Sequence, residues 1–403
     1  MAYFDGPGGT QVPVVVADRM RDYLLHHNAN THWAYPTSEE TDAAIAAARG
    51  ALAEFLNASP EEVAFGANMT TLTFHLSRAL AREWQAGDEI IVTELDHHGN
   101  VDPWRAVARD RGLTIRSVPM NTATGELDWD ALECAFSPRT KLLAIGAASN
   151  ILGTITDVAA AARLARAAGA LCFVDAVHYA PHALVDVRAL GCDLLACSAY
   201  KFYGPHVGVL YGRRDVLDGL PTYRLRVAYD RWETGTLNHE GIAGSLAAVE
   251  YIAEVGRRFG APFHAAFPGL DGRRLETHAG MAAIQAYEMG LFGRLIDGLE
   301  AIPGARVWGI TDRSRFGERT PTAAVTFAGH TAEAVSTALG ERGIATWWGN
   351  FYAIGPMERL GLEPEGVVRI GLTHYNTAAE VDRLVAELRS ITGAPAEARP
   401  GAR

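Results

Sequence analysis

The sequence predicts an α/β fold, in which a large doubly wound, mostly parallel sheet precedes a smaller α+β C-terminal domain. Between Leu56 and Tyr211, short β-rich runs alternate with alanine-rich helical patterns, an alternation typical of parallel sheets with helical crossovers. Several of these runs are continuously apolar, as expected for strands that are covered on both faces. Beyond about residue 256 the pattern changes to a long helix, four short strands and a final helix.

The elements of the large domain follow from these patterns in chain order. Helices are predicted at Thr70–Trp84, Pro103–Arg111 and Val158–Ala168, the last with Asp157 as a capping residue and Gly169 at its end. The final strand follows its predecessor with no helix between them, which favours an antiparallel neighbour in the sheet. The predicted strands are Val63–Phe65, Ile90–Thr93, Thr114–Val118, Leu142–Ala147, Leu171–Asp175, Leu194–Cys197 and Val207–Tyr211.

The remaining chain is divided by composition. A segment rich in Gly, Pro and Arg follows the helix predicted near Ile242–Val255, and it suggests a boundary. The later elements are a helix at about Leu275–Leu299, four strands and a last helix at Ala379–Ile391. The predicted divisions are an N-terminal arm that packs with the small domain (1–17), the large domain (18–256), the small domain (257–392) and a flexible tail (393–403).

Composition excludes several classes of protein. The 403 residues include 36 basic and 47 acidic side chains, so the net charge of −11 has the wrong sign for a nucleic-acid-binding protein. The four cysteines form no CxxC pair, which disfavours a disulfide scaffold or a zinc ribbon. No stretch approaches the ~20 apolar residues that a membrane-spanning helix needs. We expect a soluble cytoplasmic protein with neither nucleic acid nor membrane as a partner.

Polar residues that follow the predicted strands are candidates for a site, because ligands of parallel sheets bind outside the carboxyl ends of the strands. Only two basic residues are lysines, and Lys141 begins its strand whereas Lys201 follows one. A lysine and an aspartate, Asp175, at neighbouring strand ends suit pyridoxal 5′-phosphate: the amine forms the internal aldimine and the carboxylate keeps the pyridine nitrogen protonated. Thr70 and Thr71 begin a helix whose N-terminus could bind the phosphate.

Two longer motifs carry a resemblance. VDAVHYAPH (Val174–His182) and SAYKFYGPHVGVLYG (Ser198–Gly212) are similar to motifs of the class V aminotransferase family of fold-type I pyridoxal-phosphate enzymes, especially its cysteine desulfurase-like branch. FDGPGGTQVP, ELDHHGNVDPW, ASNILGT, RWETGTLN and VVRIGLTHYNT extend the likeness over nearly the whole chain. The resemblance implies a fold-type I architecture, an amino-acid substrate and a homodimer with shared active sites.

The resemblance also implies individual roles. Lys201 matches the aldimine lysine, Asp175 the partner of the pyridine nitrogen, and His97 the histidine that stacks on the ring. Arg369 matches the arginine that binds the substrate carboxylate. Around the cofactor, His178 and Asn150 match positions near its phenolic oxygen, Thr70, Ser198 and Tyr200 match its phosphate site, and Thr236 matches a residue that reaches the phosphate of the neighbouring subunit.

The chain departs from the desulfurase branch in one loop. Desulfurases carry a mobile cysteine there, but the corresponding segment is Trp347-Trp348-Gly349-Asn350-Phe351-Tyr352-Ala353. Tyrosine, with a pKa of about 10, does not accept sulfur as a persulfide. Trp347 and Asn350 are therefore candidate substrate contacts, and Tyr352 is a candidate catalytic acid. The aromatic residues could also be plain packing.

The expected function is removal of the α-proton from an amino acid bound to the cofactor as an external aldimine, followed by β-elimination without persulfide transfer. Transamination and epimerisation remain alternatives, and a non-catalytic binding protein is the alternative from another class. A serine acyl-enzyme built on Ser198 and Lys201 lacks its S-D-N and K-T-G partner motifs. A metal site at His97 and His98 lacks a third ligand, so no metal is predicted.

Overall fold

The computed structural model describes residues 1–221, 223 and 232–393. Its strands are β1 (Ala2–Tyr3), β2 (Val63–Gly66), β3 (Glu89–Thr93), β4 (Thr114–Val118), β5 (Met120–Asn121), β6 (Glu126–Leu127), β7 (Thr140–Gly146), β8 (Leu171–Asp175), β9 (Leu194–Ser198), β10 (Gly208–Gly212), β11 (Ala305–Trp308), β12 (Thr322–Phe327), β13 (Ile344–Ala345), β14 (Trp347–Gly349) and β15 (Val367–Gly371). Its α-helices are α1 (Val14–Asp22), α2 (Pro36–Leu56), α3 (Met69–Leu80), α4 (Asp102–Arg111), α5 (Trp129–Ala135), α6 (Val158–Ala167), α7 (Val187–Leu190), α8 (Arg214–Gly219), α9 (His239–Phe259), α10 (Gly272–Glu300), α11 (Ala332–Glu341), α12 (Ile354–Arg359) and α13 (Ala378–Gly393).

The predicted large sheet has seven strands in the order β2-β10-β9-β8-β7-β3-β4. Strand β10 is antiparallel to both of its neighbours, and the other described pairings are parallel. The predicted antiparallel strand in a mostly parallel sheet is therefore confirmed. All seven predicted strands are present, because continuous apolar runs bounded by turn residues left little ambiguity.

Both faces of this sheet are buried. Leu142 and Leu143 are neighbours in β7 and belong to separate apolar cores, one on each face. Successive side chains of a strand point to opposite faces, so an apolar run supplies both cores at once. The helices that cover them have recognisable ends: Asp157 accepts a hydrogen bond from the backbone N–H of Ala160 at the start of α6, and Gly169 beyond its end has φ +73°.

Two helices near the N-terminus, α1 and α2, were not predicted. Helix α2 begins with Pro36 in its first turn and ends at Leu56, and the next residue, Asn57, has the left-handed conformation typical of a helix stop. Helix α3 is shorter than the predicted Thr70–Trp84, since it ends at Leu80.

A second sheet, in the order β11-β12-β15-β14, forms the smaller unit near the C-terminus and is antiparallel throughout. Strand β1 pairs with β13, so the N-terminus packs with this unit. The predicted boundary after residue 256 falls inside α9, and helix α10 then contributes Met281 to the large core and Leu295 to the small one. No helix in the described part of the chain is both long and apolar enough to cross a membrane.

Two parts of the sequence interpretation fall on residues outside the described ranges. Arg231, the first residue of RWETGTLN, is one of them. Of the predicted tail, Gly393 ends α13 and 394–403 are not described.

Candidate active site

The order of the strands reverses between β3 and β7. From β3 the chain moves to β4 on one side, whereas from β7 it moves through β8 and β9 on the other. Such a switch point leaves a crevice at the carboxyl ends of the two strands, and ligands of doubly wound sheets bind there. His97 follows β3 and Asn150 follows β7, so they flank this crevice, with Asp175 at the end of β8.

A cavity of about 400 Å³ occupies the crevice. Its wall comes from the carboxyl ends of the large sheet, from Pro7 and Gly8 near the N-terminus, and from the small unit. The predicted site residues that line it are Thr70, His97, Asn150, Asp175, His178, Ser198, Tyr200, Lys201, Trp347, Tyr352 and Arg369.

Three of the predicted site residues do not line this cavity: Thr71, Thr236 and Asn350. The resemblance already assigns Thr236 to the cofactor of the neighbouring subunit, so only Thr71 and Asn350 lie elsewhere than the sequence interpretation placed them. Thr71 and Thr236 line a second cavity that meets the first at Ala67. Asn350 is turned into its own loop: its Nδ2 donates to Glu363 Oε1 at 2.9 Å, and its Oδ1 accepts from the backbone N–H of Tyr352 at 3.1 Å. It therefore holds the loop in shape.

Lys201 is the lysine that reaches the cavity. Its Nζ donates to the carbonyl oxygens of Pro7 and Gly8, at 2.5 and 3.0 Å. Burial, together with the nearby positive charge of Arg369, lowers the pKa of Lys201 to about 7. A large fraction of this amine is thus neutral and nucleophilic near pH 7. Lys141 lies by contrast 3.7 Å from Asp88, which precedes β3 at the amino ends of the strands.

Two buried carboxyl groups lie on the floor of the cavity. Burial raises the pKa of Asp175 to about 6, against the opposing effects of the Val177 N–H bond and Lys201. Asp96 is paired with a neutral hydroxyl: its Oδ2 accepts from Thr93 Oγ1 at 2.9 Å. Burial and, to a lesser extent, the charge of Asp175 raise the pKa of Asp96 to about 8. Near pH 7 the pair therefore carries about one negative charge.

Of the three histidines that line the cavity, His97 and His178 are neutral at pH 7. Burial lowers the pKa of His97 to about 4, and its Nδ1 accepts from the backbone N–H of Gly99 at 2.8 Å. That bond leaves the proton of the neutral ring on Nε2. Burial also lowers the pKa of His178 well below its ordinary value. Its Nε2 lies 3.1 Å from the hydroxyls of both Thr320 and Thr322, which belong to the small unit.

Arg369, in the middle of β15, is 3% exposed. Its Nη1 donates to the carbonyl oxygen of Asn150 at 3.2 Å, and its Nη2 donates to Asp5 Oδ1 at 3.1 Å. The guanidinium carbon lies 4.0 Å from the centroid of the Phe351 ring, which supports it from one face. The arginine is thus fixed on three sides before any ligand binds.

The aromatic loop (residues 347–352) is held against the large domain. Asn150 Nδ2 donates to the carbonyl oxygen of Phe351 at 3.0 Å, and the backbone N–H of His98 donates to that of Tyr352 at 2.8 Å. Phe351 and Tyr352 have φ angles of +56° and +57°, which are unfavourable for residues with a Cβ. Surrounding contacts must compensate for this strain, and such strain clusters at functional sites.

The other end of the cavity is suited to an anion. Thr70 lies in the first turn of α3, where unpaired N–H groups carry partial positive charge. Ser198 Oγ accepts from the backbone N–H of Met69 at 3.0 Å, so it packs directly against this helix start. The N–H groups of Met69 and Thr71 already donate to Ser198 Oγ and Asn68 Oδ1, so a phosphate group here would meet the positive end of the helix and the hydroxyls of Thr70 and Ser198.

The sequence interpretation missed several residues of this site. Asp5, Pro7 and Gly8 come from the N-terminal segment, and Phe351 lies beneath Arg369. Asp96 follows β3, and the sequence interpretation assigned it no role. The motif FDGPGG contributes to the family resemblance, but its residue types do not indicate that the carbonyl groups of Pro7 and Gly8 point into the cavity.

Comparisons with known proteins agree with this geometry. The family model described as "Aminotransferase class-V" matches residues 2–384. A cysteine desulfurase of Dickeya dadantii is 34% identical over 399 residues, which cover 97% of this chain and 92% of that protein. An aminotransferase-like protein of Gibberella zeae, FGM3, is 33% identical over 407 residues, with coverage of 96% and 94%. The apo structure of a cysteine desulfurase from Thermococcus onnurineus NA1 superimposes with a TM-score of 0.86 at 25% identity, with coverage of 97% and 94%.

Proposed function

The chain belongs to the aminotransferase class-V family, whose members use pyridoxal 5′-phosphate, and we propose that it catalyses β-elimination from an amino acid without persulfide transfer. One observation carries the proposal. Lys201, Asp175 and Arg369 line one cavity, and in the described part of the chain no cysteine lines it. Three of the four cysteines are buried, and Cys134 is exposed on α5, away from the cavity wall.

The donor set fits the cofactor. Lys201 offers a partly neutral amine for covalent attachment, and Asp175 offers a carboxyl group for the pyridine nitrogen at a strand end in the same cavity. The start of α3, with Thr70 and Ser198, offers donors for the phosphate. Asn150 Oδ1 is buried and lacks a partner within the described residues. A buried unpaired acceptor of this kind favours a ligand that donates to it or reaches it through water.

Each residue then has a defined task. When bound, pyridoxal 5′-phosphate supplies an electron sink for the negative charge that develops at the substrate Cα. Arg369 binds the substrate carboxylate and so fixes the direction of the Cα–H bond. Lys201 Nζ lines the same cavity and, as a free amine, would take the α-proton as general base. His97 lines the cavity, stays neutral, and would stack on the cofactor ring.

Elimination needs a second proton transfer. The bond from Cβ to the leaving atom breaks with its electron pair on the leaving atom, which takes up a proton as it departs. We assign that proton to the Tyr352 hydroxyl, because Tyr352 lines the cavity and no cysteine stands in its loop. The products are the leaving group in protonated form and, after hydrolysis, a keto acid and ammonia. The keto acid is pyruvate when the substrate is cysteine or a cysteine derivative.

A panel of amino acids, incubated with the holoenzyme in deuterated water and analysed by mass spectrometry, tests the proposal. Cysteine, cystine, S-alkylcysteines and alanine are compared. Pyruvate with ammonia from the sulfur-bearing substrates supports elimination, and a protein mass without added sulfur supports the absence of persulfide. A keto acid that accumulates with pyridoxamine phosphate would instead establish transamination, and inverted configuration with deuterium at Cα would establish epimerisation.

We also propose a homodimer with shared active sites. Large apolar side chains are exposed near the N-terminus, including Val14, Leu25 and Trp33 at 74%, 63% and 64%. Such surface is typical of an interface between subunits. Thr236 lies outside the cavity of its own chain, which is compatible with a role in a neighbouring subunit. Sedimentation of the holoenzyme tests this assembly, and a monomer that retains tightly bound cofactor would contradict it.

A further inference from the structure

The carboxylate of Asp5 pairs with Arg369, the arginine that we assign to the substrate carboxylate. Asp5 Oδ1 accepts from Arg369 Nη2 at 3.1 Å, although 363 residues separate them in the chain. Asp5 is 31% exposed at its side chain whereas Arg369 is 3% exposed. The anion of the pair can therefore be reached from solvent, and the cation is sealed behind it.

The N-terminal segment holds Asp5 in this position. Phe4 accepts from the backbone N–H of Gly371 at 2.7 Å, and this bond ties the segment to the end of β15. Further along, Pro7 and Gly8 accept from Lys201. Gly8 has no side chain, and a Cβ there would overlap the Asp5 carboxylate. The segment thus contacts both functional cations of the cavity.

Burial explains why the arginine needs this partner. A buried guanidinium without a counter-charge destabilises the fold, because water no longer solvates it. The carbonyl of Asn150 satisfies one nitrogen but carries no charge. Arg369 Nε has no partner within the described residues, so the guanidinium still offers an edge to a second carboxylate. An incoming carboxylate must displace Asp5 or share Arg369 with it.

We propose that Asp5 is a specificity-determining residue that competes with ligand carboxylates for Arg369. This inference rests on the proposed role of Arg369 as the substrate carboxylate site. A ligand that offers only a carboxylate gains little, because it replaces one ion pair by another. An amino acid also offers an amine that reacts at the cofactor, and that second interaction drives the exchange. The cost of displacing Asp5 is the same for both kinds of ligand, but only the amino acid has a second interaction that offsets it, so Asp5 keeps simple carboxylates out of the site at concentrations at which amino acids bind.

Titration of the holoenzyme with propionate tests the inference, because propionate carries a carboxylate and no amine. Binding is followed by the visible absorbance of the cofactor and by calorimetry. Asp5→Asn should bind propionate roughly fivefold more tightly than the wild type, as expected for removal of one partly exposed charge. The matched control Asp102→Asn removes an exposed carboxylate that pairs with His98 instead, and it should leave the dissociation constant unchanged. Unchanged or weaker binding by Asp5→Asn would overturn the inference.

Two further variants separate the possible failures. Gly8→Ala retains the charge of Asp5 but displaces its carboxylate, so it should also tighten propionate binding. Arg369→Leu should abolish that binding. If Arg369→Leu binds propionate like the wild type, the proposed substrate site is wrong and the inference falls with it. If binding is lost in Arg369→Leu but unchanged in both Asp5→Asn and Gly8→Ala, the substrate site stands and only the role of Asp5 is wrong.

Discussion

The ring of Tyr352 lies against the ring of His97, with centroids 5.5 Å apart and planes inclined at 54°. His97 is the residue expected to stack on the cofactor, and Tyr352 lines the same cavity, so we expect the Tyr352 hydroxyl to be within reach of the bound substrate. In the desulfurase-like branch this loop carries the sulfur nucleophile. The resemblance implies that Tyr352 stands at the position of that nucleophile, and the chemistry of the leaving group tests this assignment.

We predict that Tyr352→Phe slows elimination according to the leaving group. With an S-alkylcysteine, whose thiolate needs a proton, kcat should fall by about a hundredfold, within the usual range for loss of a general acid. With β-chloroalanine, which releases chloride and needs no proton, kcat should be nearly unchanged. Pyruvate formation measures both rates, and Trp348→Phe is the matched control, because Trp348 belongs to the same loop but does not line the cavity. Equal losses with both substrates would argue that Tyr352 is a packing residue.

Covalent attachment of the cofactor should depend on Lys201 and not on Lys141. Lys201→Ala should lose the visible absorbance of the attached cofactor, because no other amine lies on the described cavity wall. Lys141→Arg should retain it, since Arg can also pair with Asp88 at the far edge of the sheet. Borohydride reduction followed by peptide mass spectrometry locates the attached group. A labelled peptide that contains Lys141 would refute the assignment.

The rate of cofactor attachment should rise with pH around neutrality. A lysine attacks as the free amine, and the lowered pKa of Lys201, about 7, places that transition near pH 7 instead of above 10. Addition of pyridoxal 5′-phosphate to the apo chain at pH 5.5–9 gives the profile by absorbance. Arg369→Met removes a nearby positive charge and should move the midpoint upward. A wild-type midpoint above pH 9 would show that the pKa of the Lys201 amine is not lowered in the folded chain.

The stability of the apo chain should reveal the buried acid Asp96. Its pKa of about 8 in the folded chain lies above the ordinary aspartate value of 3.8, which applies to the unfolded chain. Between these two pH values the folded chain keeps a proton that the unfolded chain has lost. This favourable contribution is lost as pH rises from about 4 to 8, and the folded state loses stability over that window. The difference in Tm between the neutral variant Asp96→Asn and the wild type should therefore grow in favour of the variant from pH 5 to 8 and stay constant above pH 8.

Asp110→Asn serves as the control for that experiment, because Asp110 is exposed near the end of α4. Its Tm should follow the wild type at every pH. A constant difference between Asp96→Asn and the wild type from pH 5 to 9 would mean that Asp96 keeps an ordinary pKa in the fold. The comparison uses the apo chain throughout, so bound cofactor does not change the charge around Asp175.

Much of the site followed from the sequence because strand ends are readable from it. An apolar run of β-rich residues identifies a strand, and the residue after it must lie at the carboxyl edge of a parallel sheet. That reasoning alone predicted that Asp175 and Lys201 lie together at the carboxyl edge of the sheet and that Lys141 lies at the amino edge. It also gave the antiparallel strand at Gly208–Gly212, since too few residues precede it for a crossover.

Only the tertiary structure decided how the N-terminal segment and the small unit close the cavity. The Asp5–Arg369 pair, the Pro7 carbonyl on Lys201 and the inward turn of Asn350 all depend on the packing of segments hundreds of residues apart or on side-chain direction within a loop. Local patterns of polarity carry no information about such contacts, because burial of a charge or a carbonyl is set by what packs over it. The sequence determined which groups stand at the sheet edge, and packing determined their partners and hence their charges.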